Sequence, residues 1–129
     1  MTREAAIVST ARTPIGKAHR GAFNDTAPDR LAAHVMKAAV ERAGVDPQRL
    51  DDVIFGAGNQ YGPQFYNLAR MSLFTAGLPQ SLGATTLDRK CASGLTAVAL
   101  AARSIMADDA DMILAGGVES VSITRLPGL

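Results

Sequence analysis

Gly83-Ala84-Thr85-Thr86-Leu87-Asp88-Arg89-Lys90-Cys91-Ala92-Ser93-Gly94-Leu95 joins a strand-like run to a helix-like one. Residues 83–89 read as a strand, though their alternation is weak. Ala92 to Ala107 read as a helix with Leu95, Val98, Ala102, Ile105 and Met106 on one face. A strand that runs directly into a helix is the building unit of a parallel sheet. The one cysteine of the chain stands at that junction.

Working outward, Ala5 to Ala11 is a short apolar run with β-branched residues and predicts a buried first strand, broken by Pro14 and Gly16. Residues 17–27 read as a loop. Thr26 is the expected cap of a helix whose first turn holds Pro28 and Asp29. Leu31, Val35, Ala38 and Ala39 follow at helical spacing, and Gly44 stops it. Val45 to Leu50 predicts a turn or a single short helical turn. Asp52 to Gly58 predicts a second strand. Gln64 to Ala76 predicts a second helix with Leu68, Ala69, Ser72 and Thr75 in one stripe, ended by Gly77 and Pro79. Downstream of the junction, Asp108, Asp109 and Asp111 belong just outside the third helix, because acids oppose the dipole at its C-terminal end. Met112 to Ala115 predicts a fourth strand, closed by Gly116 and Gly117.

The fold class is therefore α/β, in the order β-α-β-α-β-α-β, with a mostly parallel sheet and right-handed crossovers. Chemistry in such sheets gathers at the carboxyl ends of strands. Gly56 to Tyr61, Cys91 and Gly116 to Ser120 all fall there.

With 129 residues, 47% of them hydrophobic, the chain is enough for one packed domain spanning 1–129. A formal charge of +1 offers no basic surface for a nucleic acid backbone. No apolar run approaches the roughly 20 residues that cross a bilayer, and Met1 to Glu4 does not resemble a secretion signal. A single cysteine supports neither an internal disulfide nor a Cys-rich zinc site, so no metal is expected. A lone thiol is most at home in a reducing compartment, and a soluble cytoplasmic protein is the expectation.

Cys91 is the candidate nucleophile. Thiolate is the reactive form, and it is favoured by a helix N-terminus and by the cations Arg89 and Lys90. Ala92, Ser93 and Gly94 permit a sharp turn like the nucleophile elbow of serine hydrolases. The backbone N–H of Cys91 is a candidate oxyanion donor. A small buried structural cysteine is the competing reading. A redox thiol would lack a resolving cysteine. His19, between Lys17 and Arg20, reads as an exposed loop histidine before a base or phosphate contact. His34 reads as a boundary histidine with a satisfied hydrogen bond. Gly56-x-Gly58-x-x-x-Gly62 lacks the spacing of a dinucleotide-binding loop. Tyr61, Phe65 and Tyr66 are expected to pack at the core or its boundary.

Four blocks carry a family resemblance: Arg12-Thr13-Pro14-Ile15-Gly16-Lys17, then Asn67-Leu68-Ala69-Arg70 with Ala76-Gly77-Leu78-Pro79, then Arg89-Lys90-Cys91-Ala92-Ser93-Gly94-Leu95, then Ala115-Gly116-Gly117-Val118-Glu119-Ser120-Val121-Ser122. In order and content they resemble the N-terminal portion of the thiolases, the acetyl-CoA acetyltransferases and 3-ketoacyl-CoA thiolases. The last block separates them from the related ketoacyl synthases. The resemblance implies that Cys91 attacks an acyl thioester and carries the acyl group, with a coenzyme A thioester as substrate and no bound cofactor. It implies a homo-oligomer formed through residues 83–89. It assigns no residue here to grip coenzyme A. The family usually has Val-Asn where Leu87-Asp88 stands, and Met where Val121 stands. Its base histidine, in a Gly-His-Pro setting, and its second cysteine come from a C-terminal part that this chain lacks. The chain stops at Leu126-Pro127-Gly128-Leu129, directly after a strand and its loop. A partial N-terminal domain, incomplete for catalysis on its own, is the expectation. The alternative is a non-catalytic thiolase-like module that acts only in assembly.

Overall fold

A computed structural model describes residues 3–124, so Leu126 to Leu129 lie outside the described residues. The elements are α1 (Pro28–Ala43), β1 (Asp52–Gly56), α2 (Leu68–Thr75), β2 (Gly83–Leu87), α3 (Ser93–Met106) and β3 (Ile113–Gly117). Short 3-10 turns occupy Pro47–Arg49 and Gly62–Gln64. The three strands form one parallel sheet in the order β2-β1-β3. Asp52 is level with Gly83 on one side and with Ile113 on the other.

Side chains alternate along a strand, and β1 shows what that does here. Val53 and Phe55 face the larger core, built with Ala32, Met36 and Val40 of α1 and Ala69 and Leu73 of α2. Ile54 faces the opposite way, onto Ala97 and Ala101 of α3. Helices thus cover both faces of the central strand, which suits the continuous apolar run in β1.

The expected first strand does not form. Residues 5–11 take no regular secondary structure and pair with no strand among the described residues, and Ile7 and Val8 are 75% and 76% exposed. Side-chain contacts hold the segment instead. Ser9 Oγ donates to the Ala39 carbonyl of α1 at 2.8 Å, and Arg42 donates to the Thr10 carbonyl at 2.7 Å. Arg3 pairs with Asp108 and Asp111 in the loop after α3. An apolar cavity of about 450 Å³ is lined by residues 5–11 on one side and by β3 among others, and the segment borders the sheet without joining its ladder.

Three smaller expectations also change. The cap of α1 is Ala27, not Thr26, because a residue that precedes proline is pushed into the extended conformation that a cap requires. Helix α2 begins at Leu68, since Asn67 takes a left-handed φ of 40° and its side chain accepts from Arg70 N–H. The buried face of α3 is Ser93, Ala97 and Ala101, whereas Leu95 is 76% exposed and Met106 is exposed. Ser93 and Gly94 lie over the glycine ends of β1 and β3, and Ala97 and Ala101 pack on Ile54. The predicted stops hold: Gly44 closes α1 in a left-handed conformation, and Asp108 and Asp109 lie beyond α3.

Candidate functional site

Strand β2 ends at Leu87, and residues 88–92 turn the chain into α3. The turn is tight. The N–H of Ala92 donates to the Arg89 carbonyl and that of Ser93 to the Lys90 carbonyl, both at 3.0 Å. Ser93 is buried, and its hydroxyl accepts from Arg89 N–H at 2.8 Å while donating to the Lys90 carbonyl at 2.6 Å. Lys90 takes a φ of 48°, unusual for a residue with a side chain. Cys91 emerges from this turn with its side chain exposed. The reading of a buried structural cysteine therefore falls.

Glycines let the start of α3 sit so close to the sheet. A Cβ at Gly56 would lie 2.2 Å from the Ser93 carbonyl carbon. A Cβ at Gly117 would lie 3.0 Å from the Gly94 Cα and 3.1 Å from the Gly56 carbonyl. The ends of β1 and β3 thus meet the first turn of α3 backbone against backbone. Cys91 is delivered to the carboxyl edge of the sheet, where the strand order placed it.

The charges around the turn differ from the expectation. Lys90 was expected to favour the thiolate, but its ammonium donates to Asp88 Oδ2 at 2.5 Å and to the Gly58 carbonyl at 2.8 Å. Asp88 Oδ1 accepts from Lys90 N–H at 2.7 Å. The Lys90 side chain and N–H hold the Asp88 carboxyl below its ordinary range, and Asp88 in turn raises the Lys90 ammonium. Asp88, where the family usually has Asn, thus has a defined partner.

A second layer stands behind this turn. Glu119, just past β3, accepts from Gly58 N–H at 2.7 Å and from the Gln64 amide at 2.5 Å. Gln64 is fully buried; its amide also donates to the Asn59 carbonyl, and its oxygen accepts from Ser120 N–H at 2.8 Å. Sequence reasoning placed Glu119 and Ser120 at a strand end but missed Gln64. A lone glutamine near a helix start carries no signal that it will be buried between the loops that follow β1 and β3.

The two histidines do not join Cys91. His34 lies on the exposed face of α1, and His19 lies in an exposed turn where its N–H donates to Ser122 Oγ at 2.9 Å. Phe65 and Tyr66 make an edge-to-face pair at 4.9 Å but remain exposed, contrary to the expected core packing. A cavity of about 470 Å³ lies beside the site, between the Arg12 to Ala18 loop and Gly117 to Ser122; Cys91 does not line it. Among the described residues no three His, Cys, Asp or Glu side chains gather as a metal site would need, and no helix is long and apolar enough to cross a membrane.

Comparison with known proteins adds to this geometry. The family model described as "Thiolase, N-terminal domain" matches residues 5–126. The chain is 47% identical over 121 residues to a 3-oxoadipyl-CoA/3-oxo-5,6-dehydrosuberyl-CoA thiolase of Escherichia coli K12, covering 93% of this chain and 30% of that protein. It is 44% identical to a peroxisomal 3-ketoacyl-CoA thiolase of Arabidopsis thaliana, covering 95% of this chain and 27% of the relative. The crystal structure of the Bacillus anthracis acetyl-CoA acetyltransferase superposes with a TM-score of 0.90 at 35% identity, over 96% of this chain and 31% of the other. The chain thus spans about 30% of the length of the relatives it matches.

Proposed function

Because this chain belongs to the thiolase family, we propose that Cys91 is the acyl-carrying nucleophile of a thiolase-type acyltransferase, within a partial N-terminal domain spanning residues 1–129. The thiolate attacks the carbonyl carbon of an acyl-CoA substrate, and the Cys91 N–H stabilises the oxyanion that forms. In condensation the leaving group is the thiolate of coenzyme A, which takes up a proton, and the acetyl group on sulfur then passes to the carbanion of a second acetyl-CoA. In thiolysis the leaving group is the acetyl-CoA carbanion, and the acyl group passes to the sulfur of coenzyme A. The observation that carries this reading is the exposed Cys91 thiol on a tight turn at the N-terminus of the 14-residue helix α3.

Neither histidine lies in the setting of the family's base, so the 129-residue chain is expected to accept an acyl group without completing a cycle. Incubation with acetyl-CoA followed by peptide mass analysis tests this. One acetyl increment on the Cys91 peptide, absent in Cys91→Ala, is the expected result. An unmodified Cys91, or an increment that survives Cys91→Ala, refutes it.

A second reading is a non-catalytic thiolase-like module used in assembly, motivated by the two histidines of the chain, His19 and His34, standing in exposed positions away from the Cys91 turn. A homo-oligomer through residues 83–89 accords with β2 being an edge strand with Gly83 and Thr85 exposed. A cytoplasmic location rests on the lone thiol, and the peroxisomal plant relative marks the alternative compartment.

A further inference from the structure

Lys90 is the residue that aims Cys91. The chain must leave β2, reverse, and enter α3 within five residues, and the left-handed φ of Lys90 makes the reversal possible. For a residue with a Cβ that conformation is strained, so something must hold it. Three of its groups are held. Its N–H goes to Asp88 Oδ1, its carbonyl accepts from Ser93, and its ammonium goes to Asp88 Oδ2 and the Gly58 carbonyl. Gly58 is fixed in turn by Glu119, and a Cβ at Gly58 would lie 3.1 Å from the Lys90 Cα. Two of the five hydrogen bonds on Lys90 therefore end on one carboxylate.

We infer that Asp88 is a positioning residue for Cys91 and acts through Lys90. Its carboxylate holds the left-handed turn that presents the thiol, and it keeps the Lys90 ammonium on Asp88 and Gly58 rather than on the sulfur. This deepens the reading of Cys91 as acyl carrier and rests on it. The two halves are separable chemically. An asparagine at position 88 keeps an oxygen for the Lys90 N–H but removes the anion. An alanine removes both. The other charged or titratable groups around Lys90 are Arg89 beside it and Glu119 and Tyr61 across from it; the last two favour the cation and are unchanged in these variants.

The test uses the 129-residue chain and the variants Asp88→Asn, Asp88→Ala and Asp88→Ala/Lys90→Gly, with two probes of Cys91. Iodoacetamide needs no orientation and reports thiolate and access, whereas acetyl-CoA must be attacked in a defined geometry. Asp88→Asn frees the ammonium and removes a like charge, so alkylation at pH 7 is expected to rise about threefold to tenfold, with the high-pH plateau unchanged. Asp88→Ala should show the same rise in alkylation, but its acetylation, relative to alkylation, should fall about tenfold, since small misplacements near a reacting atom cost up to about 100-fold. Lys90→Gly added to Asp88→Ala should restore that ratio, because glycine adopts the left-handed turn without help. Amide hydrogen exchange gives a readout independent of acyl transfer: the Lys90 N–H should exchange slowly in wild type and Asp88→Asn and fast in Asp88→Ala. Unchanged alkylation in Asp88→Asn overturns the electrostatic half. Equal Lys90 exchange in all three, or no restoration by Lys90→Gly, overturns the positioning half. If wild type takes no acetyl group while the alkylation and exchange results hold, the acyl-carrier reading fails and the role of Asp88 in the turn stands.

Discussion

Gly56→Ala tests whether backbone contact between β1 and α3 builds this site. A methyl at Gly56 would stand 2.2 Å from the Ser93 carbonyl carbon, 2.4 Å from its oxygen and 2.6 Å from the Gly94 nitrogen. Ordinary contact begins at 3.4 Å, so the gap is about 1.2 Å too small. The obstructing atoms are main chain and cannot swing aside as a side chain can. Helix α3 must lift, which loosens Ala97 and Ala101 from Ile54 and pulls Ser93 from Arg89 and Lys90. Overpacking typically costs 1–3 kcal/mol, and a displaced helix belongs at the upper end, about 3 kcal/mol. Gly77→Ala is the control. Gly77 has a φ of 70° but nothing within 4 Å of a built Cβ, so only backbone strain remains, about 1 kcal/mol. Urea unfolding of both variants at matched m-values gives the two costs. A Gly56→Ala variant no less stable than Gly77→Ala would refute the reasoning.

Gln64→Leu should cost about 2–4 kcal/mol in the same assay, since it strands Glu119, the Asn59 carbonyl and the Ser120 N–H around a buried apolar side chain; a loss under about 1 kcal/mol would mean that water replaces the amide. Asp51 accepts from the N–H groups of Met112 and Asp111, which hold its carboxyl below the ordinary range. Its stabilisation is complete above the ordinary carboxylate value of about 3.9 and is lost as pH falls through the lower folded value. The urea midpoint of wild type should therefore drop more steeply below pH 4 than that of Asp51→Asn, and parallel curves would show that the carboxylate does not pin β3 to β1.

Much of the site was legible before any coordinates. Periodicity located three helices and three of four strands, because their apolar faces are buried on near neighbours in the chain. The Cys91 block named its own junction. Residues 5–11 show where that logic stops: an apolar β-branched run specifies a strand only if a partner edge is within reach, and here side-chain ties hold it across a cavity from β3. The face of α3 was misjudged for a related reason. Helical spacing marked the large residues, but the face of α3 turned to the sheet is Ser93, Ala97 and Ala101, with Ala97 and Ala101 packed on Ile54, and Leu95 points away.

Local sequence thus determined most of the elements, the strand-to-helix junction and the candidate nucleophile, since propensity, turn chemistry and a single cysteine act over a few residues. Tertiary structure alone decided what surrounds that cysteine. Gln64, Gly58, Asp88 and Glu119 lie up to 61 residues apart in the chain and meet only when the sheet aligns its strand ends. That the Lys90 ammonium is held by the Gly58 carbonyl as well as by its near neighbour Asp88 depends on a contact that only the folded chain makes.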